Sequence, residues 1–329
     1  MSKRGQMTVL IAASLLLAAA SPFLGVSGLS LNIWDLNEPE GRIFWLLRVP
    51  RAIAAFFAGA GLSISGMVFQ AMFRNPLASP FTLGISSGAA LGASTYFWLG
   101  AGLSFLGSSG SLGAAMAGGA LSMGLVFLVT RARGHLSTAV MLLTGVIINF
   151  FFDSLVMLIQ YLSDAYNSLR IMHWLMGSLA GVEPARLPEL IFVILAGAFF
   201  IRMRSNELDL LTAGEELAAS RGVKVSQIKL HIFVAASIMV GAIISMTGPI
   251  GFVGMMVPHI CRLSFGWSHR LLLPAAFFMG GAFLCLCDLV ARTILAPAEL
   301  PIGIITAILG GPFFLYVIFR SGKNDGFFY

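Results

Sequence analysis

The feature that most constrains this chain is a series of apolar runs, each about as long as a membrane-spanning helix. A helix needs about 20 mostly apolar residues to cross a bilayer. Ten segments approach or reach that length: residues 7–26, 49–73, 82–100, 112–130, 138–162, 188–203, 229–247, 252–265, 271–291 and 302–319. The eighth is short and contains Pro258. The pattern predicts an all-α membrane protein with about ten transmembrane helices.

The composition argues against a soluble enzyme or a nucleic-acid-binding protein. Of the 329 residues, 58% are hydrophobic and only 10% are charged, whereas an average soluble domain has about 25% charged residues. The formal net charge is +6, but no basic stretch alternates with aromatic residues as a single-stranded nucleic-acid groove requires. We expect a single transmembrane domain over residues 1–329 and no nucleic-acid partner.

The distribution of Lys and Arg predicts the orientation in the membrane. With the N-terminus inside, most of these residues, Arg133 and Lys323 among them, fall in connections that would be cytoplasmic, as the positive-inside rule requires. Residues 18–20 resemble a signal-peptide cleavage site, but the first apolar run is longer than a usual signal segment. We therefore expect an uncleaved first helix, with both termini cytoplasmic, in a multi-pass protein of the inner membrane.

Small residues predict close packing between helices. Gly84, Gly88 and Gly92 form a series at four-residue spacing, and Gly59 with Ser63 repeats that spacing. In lipid, small residues allow two helix backbones to approach closely. The cysteines lack metal-ligand spacing and are interpreted as small packing residues; they are Cys261, Cys285 and Cys287.

The most polar stretch of the chain is the internal connection at residues 205–228. Thr212, followed three residues later by Glu215, predicts a capping box at a helix start, and Gly222 predicts a helix end. Leu217 and Ala218 would form a small apolar face between them. Such a knob suits contact with another protein, although composition alone also allows a solvated loop.

Three polar residues lie on the fifth apolar run: Asn149, Asp153 and Gln160. A carboxylate at the centre of a membrane helix costs about 2.5–3.5 kcal/mol on insertion scales. We therefore expect Asp153 to face water or a protein partner rather than lipid. An interhelical hydrogen bond and a contact with a transported substrate both remain open.

The external connection at residues 163–187 contains a short amphipathic piece, Ser168 to Leu179, that is too short to cross a bilayer. Its apolar residues are Ile171, Trp174, Leu175 and Leu179, and His173 and Met176 lie among them.

Many separate motifs then agree in their order along the chain. They are Arg48-Val-Pro-Arg51, Gly66-Met-Val-Phe-Gln70, Arg74-Asn-Pro-Leu-Ala78, Gly84-Ile-Ser-Ser-Gly88, Trp174-Leu-Met-Gly177, Gly214-Glu-Glu-Leu-Ala218, Arg221-Gly-Val223, Gly248-Pro-Ile-Gly-Phe-Val-Gly254, Pro258-His-Ile-Cys-Arg262, Asp288-Leu-Val-Ala-Arg292 and Glu299-Leu-Pro-Ile-Gly303. From about residue 40 to residue 320 the chain resembles the FecCD-type permeases, the membrane subunits of ATP-binding-cassette (ABC) importers for iron–siderophores, haem and vitamin B12.

The resemblance implies a type II ABC importer permease fold with inverted repeats, working as a homodimer with the pathway at its two-fold axis. Two copies of a separate ATPase subunit would attach at the cytoplasmic loop of about residues 205–228. A periplasmic or lipid-anchored substrate-binding protein would dock outside. The permease itself would have no catalytic site and no cofactor, and it would carry a metal chelate from the external side to the cytoplasm.

The resemblance also suggests roles for individual residues. The ATPase-coupling element would comprise Gly214, Glu215, Glu216, Leu217, Ala218, Arg221, Gly222 and Val223. Arg48, Arg51 and Arg292 would meet acidic residues of the binding protein, although they could instead anchor helices at lipid headgroups, and Asp288 could pair with Arg292 on one helix face. The fifth apolar run lines the pathway in this family, so Asn149, Asp153 and Gln160 would belong to it. Apart from the resemblance, we expect only a small apolar contact to hold the amphipathic piece with His173, Trp174 and Met176, so that it gates the pathway; a static cap is the alternative. His173 could ligate iron transiently, but a structural role is the simpler interpretation.

The alternative is an ion-coupled secondary transporter with Asp153 and Asp288 as coupling carboxylates. That class gives no reason for the knob at residues 214–223. An enzyme is disfavoured because the chain has no H-E-x-x-H motif, and it has no G-x-x-x-x-G-K-[ST] loop for binding ATP itself.

Overall fold

The chain is helical throughout the part described by the computed structural model, which comprises residues 2–25, 33–35, 37–99, 109–132 and 138–321. We label the helices α1 (Lys3–Ala20), α2 (Pro39–Phe73), α3 (Ile85–Leu99), α4 (Ser109–Ala132), α5 (Thr138–Leu162), α6 (Ala165–Leu175), α7 (Leu187–Met203), α8 (Ser205–Ala213), α9 (Glu215–Ser220), α10 (Val225–Thr247), α11 (Val253–Phe265), α12 (His269–Thr293) and α13 (Ile302–Ser321). No strand occurs among these residues, which confirms the all-α class there. Residues 26–32 and 36 lie outside the described residues, and so do Arg133 and Lys323.

Seven stretches of the described chain are long and apolar enough to cross a membrane. They are Lys3–Phe23, Pro39–Phe73, Gly110–Ala132, Thr138–Leu162, Pro184–Met203, Val225–Thr247 and His269–Thr293. Helices also occupy the other three predicted segments, but α3 has 15 residues, α11 has 13, and the apolar part of α13 is the shorter stretch Ile302–Val317. The count of about ten transmembrane helices therefore stays a prediction.

The predicted eighth span differs most from expectation. Helix α11 runs without a break through Pro258, after Phe252 starts it in a left-handed conformation with φ 65°. At 1.5 Å per residue its 13 residues extend only about 20 Å, which is less than the roughly 30 Å hydrocarbon core of a bilayer. Its hydrophobic length, rather than the proline, is what keeps it from spanning alone.

Helix α2 lies at the centre of the molecule, and from Pro50 to Phe73 nearly all of its residues are buried. Small residues make this possible, because they let neighbouring helices reach its backbone. A Cβ added at Gly59 would overlap the carbonyl of Gly280 in α12, and one added at Gly66 would overlap the backbone of Gly254 in α11. Ser63 packs on Gly280 from the same face, so the predicted role of Gly59 and Ser63 in close helix packing is confirmed.

Helices α3 and α4 pack by the same device. A Cβ at Gly88 or Gly92 would overlap the carbonyl of Gly118 or Ala114. The series that starts at Gly84 is therefore a helix-packing surface, as predicted. The three cysteines are buried and unpaired, which agrees with a packing role.

The buried part of α2 extends from Arg51 near one end of the molecule to Arg74 at the other. Arg51 and Arg74 are separated by 23 residues of helix, or about 34 Å. The short helix α8 packs against α2 and the start of α12, and the charge of Arg74 acts on Glu215 at the start of α9. The α8–α9 segment therefore lies at the Arg74 end, and the arginines of the predicted docking surface lie at the other.

Candidate functional site

The connection at residues 205–228 forms two short helices separated by Gly214. Gly214 has φ 145°, a conformation that glycine adopts more readily than other residues. The apolar residues Leu208 and Leu211 of α8 and Ala218 of α9 are buried. They anchor the α8–α9 segment to the membrane helices, so the solvated-loop alternative does not describe it.

The end of α9 is a Schellman motif. The Val223 N–H donates to the Ala218 carbonyl at 3.0 Å, and the Gly222 N–H donates to the Ala219 carbonyl at 2.9 Å. Gly222 has φ 84°, the left-handed conformation that this motif requires. The predicted helix end at Gly222 is confirmed.

Two details of the predicted knob are wrong. Thr212 is not a cap, because it lies inside α8 and its hydroxyl donates to the Leu208 carbonyl at 2.9 Å; the residue before α9 is Gly214, which has no side chain to cap with. Leu217 and Ala218 do not share one apolar face, because Ala218 is buried while Leu217 is 44% exposed.

A charged network ties the start of α9 to two membrane helices. The Lys229 ammonium of α10 donates to Glu215 Oε1 at 2.6 Å and to the Thr138 hydroxyl of α5 at 3.0 Å. That hydroxyl in turn donates to Glu215 Oε1 at 2.9 Å. The Lys229 side chain is only 1% exposed, whereas Glu215 is 42% exposed.

This network was not visible in the sequence, where Lys229 counted only as one more cytoplasmic charge. Its partners are 14 and 91 residues away along the chain. The only available signal was a lysine at the start of an apolar run, next to a loop rich in glutamate. Through Thr138, the network connects the α8–α9 segment to the first residue of α5.

A second attachment joins α8 to the start of α12. Asp209 accepts hydrogen bonds from the backbone N–H of His269 at 2.8 Å and from its Nδ1 at 2.5 Å. Arg270 Nε donates to the Asn206 side chain at 3.2 Å. The segment is thus held to α5, α10 and α12 by polar contacts.

The polar residues of α5 have different surroundings. Asn149 donates from Nδ2 to the Phe81 carbonyl at 2.6 Å and accepts from the Ser87 hydroxyl at 2.7 Å. It therefore has the interhelical hydrogen bonds expected of a structural amide. Asp153 is exposed, and Gln160 is half-exposed. Asn149 and Asp153 line one open cavity of about 390 Å³.

One face of α5 makes little contact with the rest of the described chain. Ile147, Phe150, Met157 and Tyr161 are all more than half exposed, and their spacing places them along one side of the helix. The buried side of α5 packs on the bundle through residues such as Phe152. This open face lies beside Asp153, so a second protein surface placed there would enclose the carboxylate.

The amphipathic piece of the second external loop is α6, which begins at residue 165 rather than 168. The Asp164 side chain caps it by accepting from the Asn167 N–H at 2.8 Å. Of the predicted apolar face, Ile171 and Leu179 are buried, and Trp174 is half-buried. The predicted amphipathic character is confirmed, with the helix ending at Leu175 instead of Leu179.

The C-terminal end of α6 is held firmly. The Ser178 N–H donates to the Thr247 carbonyl at 2.7 Å, and a Cβ added at Gly177, Gly248 or Gly303 would overlap a carbonyl of the facing segment. The expectation that only a small contact holds this piece is therefore wrong at residues 174–178. Towards the middle of α6, the Arg170 guanidinium lies 4.7 Å from the ring centroid of Phe97 in α3.

The candidate gate residues do not converge on a metal site. His173 is exposed, and Trp174 and Met176 are half-buried. Within the described ranges, no group of three His, Cys, Asp or Glu side chains is placed to hold a metal ion. None of these three residues lines the α5 cavity of about 390 Å³. Their neighbour Leu175 does line it.

The three arginines at the other end of the molecule belong to an internal network. Arg51 Nε lies 2.8 Å from Asp288, and its Nη1 lies 2.7 Å from Glu299. Arg292 Nη2 donates to the Ser21 carbonyl at 2.6 Å, and its Nε is 3.5 Å from Asp288, close enough for an ion pair but not for a good hydrogen bond. The network joins α1, α2 and α12.

This arrangement changes what each arginine can offer a partner. Arg292 is 8% exposed, and the alternative in which it pairs with Asp288 has structural support. Arg51 is largely occupied by two carboxylates, and Arg48 donates to the Pro22 carbonyl at 3.3 Å. Asp288 has two arginines beside it, which makes it a structural carboxylate rather than the coupling group of an ion-driven transporter.

Comparison with known proteins agrees with this geometry. Residues 7–320 match the model of the FecCD transport family. The haemin transport system permease HmuU of Yersinia pestis is 36% identical over 94% of this chain and 93% of its own length. The vitamin B12 import permease BtuC of Escherichia coli is 38% identical over 88% of this chain and 87% of its own. YvrB of Bacillus subtilis, an uncharacterized ABC transporter permease, is 40% identical over 84% of this chain and 79% of its own.

A solved structure has the same fold. An inward-facing structure of a metal-chelate type ABC transporter superposes with a TM-score of 0.87 at 31% identity, covering 96% of this chain and 99% of the other. The family model spans nearly the whole chain, and the relatives are aligned over most of their length. The chain therefore belongs to the FecCD transport family and is a multi-pass membrane permease component of an ABC transporter.

Proposed function

We propose that this chain is the inner-membrane permease subunit of an ATP-driven importer that moves a metal chelate into the cytoplasm. Ferric siderophores, haem and cobalamin are the candidate substrates, because relatives named for haemin transport and vitamin B12 import align over most of the chain. The observation that carries the proposal is the α8–α9 segment, which is rigid, exposed on its outer side and tied by charged contacts to α5 and α12.

The α8–α9 segment acts as the contact for a separate ATPase subunit. Its inner side is fixed by Ala218, Glu215 and the Schellman motif at Gly222 and Val223. Its outer side presents Leu217 together with Glu216 and Arg221, all of them exposed. A partner that pushes on this surface also pushes on Thr138, because Glu215 and Lys229 connect the two through short hydrogen bonds.

The pathway forms between two copies of the chain that meet beside α5. Asp153 is exposed on α5 next to an apolar face that the rest of the described chain leaves open. A carboxylate within a membrane helix is stable when it faces water or protein rather than lipid. A water-filled path at a two-fold axis meets that need and uses the open face, with Asn149 and Gln160 on the same helix.

A substrate-binding protein docks at the end of the molecule that holds Arg48, Arg51 and Arg292. Arg51 and Arg292 mainly fix the shape of this surface through Asp288, and Arg48 lies beside them with a hydrogen bond to the Pro22 carbonyl. Exposed ion pairs are individually weak and are screened by salt. Docking through Arg48 would therefore weaken as the salt concentration rises.

Reconstitution tests the proposed function directly. The permease, its ATPase and its binding protein would be placed in liposomes, and uptake of haem, cobalamin and a ferric siderophore would be measured with ATP inside and outside. Accumulation of one chelate that requires ATP on the ATPase side and persists after proton and sodium gradients are collapsed is the expected result. Uptake that follows an ion gradient without ATP would overturn the proposal.

A further inference from the structure

A cavity of about 410 Å³ opens at the Arg74 end of the molecule, beside the α8–α9 segment. It lies between the end of α2, helix α11 and the start of α12. Its lining includes Arg74, Arg262, His259 and His269, with Gln70 and Trp267. No aspartate or glutamate is among the described residues that line it. The ionisable side chains of the lining are thus two arginines and two histidines.

Arg262 brings a charge into this cavity without a matching anion. Its Nη1 donates to Gln70 Oε1 at 2.5 Å, and its guanidinium lies 5.4 Å from the Trp267 ring centroid. Within the described part of the chain it forms no ion pair with a carboxylate. A partly buried guanidinium that is bonded only to an amide and an aromatic ring retains donors for an anion, and burying a charge without a counter-charge is costly.

His269 adds a buried, unsatisfied ring nitrogen. The side chain is 2% exposed, and its Nδ1 is held by Asp209. Asp209 accepts from both the ring and the backbone of His269, so the ring cannot turn. Its Nε2 is buried and has no hydrogen-bond partner among the described residues, although the same side chain lines the cavity.

The Asp209 carboxylate fixes which edge of the His269 ring is left for the cavity. A carboxylate bonded to Nδ1 requires a proton on Nδ1, so Nε2 is the ring nitrogen that remains without a partner among the described residues. Asp209 lies behind the ring and is not part of the cavity lining. The cavity therefore lies beside the Nε2 edge of the imidazole and not beside the carboxylate.

We propose that this cavity binds a phosphate group, held by the guanidinium groups of Arg262 and Arg74 beside the Nε2 edge of His269. Guanidinium forks match phosphate oxygens and bind them in pairs. The cavity volume accommodates a phosphate together with part of the molecule that carries it. The phosphate could belong to the headgroup of an anionic lipid, because the site lies at the end of a membrane-length helix, or it could be free in solution.

Ligand-dependent stability of the purified full-length permease tests the proposal. In detergent, thermal unfolding would be followed in sodium phosphate and in sodium chloride of equal ionic strength. In parallel, the protein would be placed in nanodiscs of phosphatidylcholine alone or of phosphatidylcholine with phosphatidylglycerol. A ligand that binds only the folded state raises the midpoint of unfolding in a concentration-dependent manner.

Three variants link any shift to the cavity. Arg262→Gln and Arg74→Asn each remove one guanidinium, and asparagine tolerates the left-handed backbone of residue 74, whose φ is 48°. Arg270→Gln is the matched control, because Arg270 is an exposed arginine nearby that does not line the cavity. If Arg262→Gln does not fold, Arg74→Asn at an exposed position still decides the outcome.

The expected result is a stabilising shift in at least one arm, abolished or strongly reduced by Arg74→Asn and Arg262→Gln and retained by Arg270→Gln. A shift in sodium phosphate identifies a free anion as a ligand, and a shift only with phosphatidylglycerol identifies a lipid headgroup. The proposal is overturned by the absence of a shift in both arms, or by a shift that all three variants retain. Neither readout depends on transport, so failure here leaves the proposed function untouched.

Discussion

The Glu215–Lys229 pair is asymmetric, and the asymmetry decides which partner matters more for stability. Lys229 is almost completely buried, so its ammonium depends on Glu215 and on the Thr138 hydroxyl for compensation. Glu215 is close enough to solvent to be hydrated if it loses its partner. Removing the carboxylate leaves a buried charge unpaired, whereas removing the ammonium leaves a partly exposed carboxylate.

We therefore expect Glu215→Ala to destabilise the permease more than Lys229→Met. Breaking a fully buried pair costs about 3–5 kcal/mol, and the exposure of Glu215 should lower the cost of Glu215→Ala to about 2 kcal/mol. Thermal unfolding in detergent measures the difference. Glu216→Ala is the control, because Glu216 is exposed and adjacent. An equal loss for Glu215→Ala and Lys229→Met would show that Lys229 does not need its counter-charge.

The same segment should loosen in acid. Burial acts to raise the pKa of Glu215, but the hydrogen bond and charge of Lys229 outweigh it and leave that pKa below its usual value. Burial likewise acts to raise the pKa of Asp209, and the hydrogen bonds from His269 outweigh it. A carboxyl with a lowered folded-state pKa contributes stability that is complete above its unfolded-state pKa of about 4 and is lost as the pH falls through the folded-state value.

The measurable consequence is the slope of stability against pH. The unfolding midpoint of the wild-type permease should fall more steeply below about pH 4 than that of Glu215→Gln, which lacks one of the two groups. Limited proteolysis between α8 and α10 over the same pH range would localise the change. Parallel curves for the two proteins would mean that Glu215 does not contribute to acid sensitivity.

Single residues were the level at which sequence reasoning was least complete. The role of Gly222 was predictable because a left-handed glycine at a helix end is a local property. Thr212 was misassigned because a Thr three residues before a Glu occurs inside helices as well as before them. The pairing of Arg51 with Asp288 joins residues 237 positions apart, and no local pattern contains that information.

At the scale of elements, α9 assigns different roles to two apolar residues, Leu217 and Ala218, that the sequence placed on one face. Ala218 points into the molecule and stabilises the segment, and Leu217 points outward, where a partner can reach it. A charge at position 217 should therefore affect partner binding, whereas a charge at position 218 should affect the stability of the fold.

We expect Leu217→Asp to release the ATPase while leaving the permease folded, with a change of less than about 0.5 kcal/mol in the free energy of unfolding. Ala218→Asp should instead destabilise the permease by about 3 kcal/mol, because it buries an unpaired carboxylate. Co-purification of the ATPase and thermal unfolding of the permease alone measure the two effects. Ala219→Asp, at an exposed neighbouring position, controls for the helix itself.

The outcome that would contradict this division is a stable Ala218→Asp permease, or a Leu217→Asp permease that keeps its ATPase and its ATP-dependent uptake. The first would mean that α9 can rotate its inner side to solvent. The second would remove Leu217 from the contact surface.

Elements were largely predictable because apolar length is a strong local signal. Helix α5 has the predicted bounds, 138–162, and α7, α10 and α12 each begin within a few residues of the prediction. Differences arise where local chemistry ends a helix early: α1 stops at Ala20 because a 3₁₀ turn containing Pro22 follows. The start of α6 moved to residue 165 because Asp164 is the side chain that caps it.

At the scale of the whole molecule, the two ends are joined by few elements. Helix α2 runs between the arginine network and the cavity proposed above to bind phosphate. Helix α12 runs alongside it from His269 to Arg292. Helix α5 connects the Thr138 contact of the α8–α9 segment to the cavity beside Asp153 and then leads into α6. A displacement at the proposed ATPase contact would thus have a direct helical route, along α5, to α6.

The last prediction follows from how α6 is held. Its C-terminal end is fixed at Ser178 by the hydrogen bond to Thr247 and by close glycine contacts, whereas Tyr166 and Leu169 in its first half are more than half exposed. Elements with few buried contacts open at low free energy. If α6 gates the pathway, its N-terminal half should swing about a hinge near residues 176–178.

Spin labels on the two copies of a transport-competent complex would measure this movement. A label at residue 168 should change its distance to the symmetry-related label between nucleotide-free and ATP-trapped states, because it lies in the weakly held half. A label at residue 178 should change little, because it lies in the clamp, and it therefore reports any rigid-body motion of the whole subunit. Equal shifts at both positions would indicate that the subunits move as units, and no shift at either would make α6 a static cap over the pathway mouth.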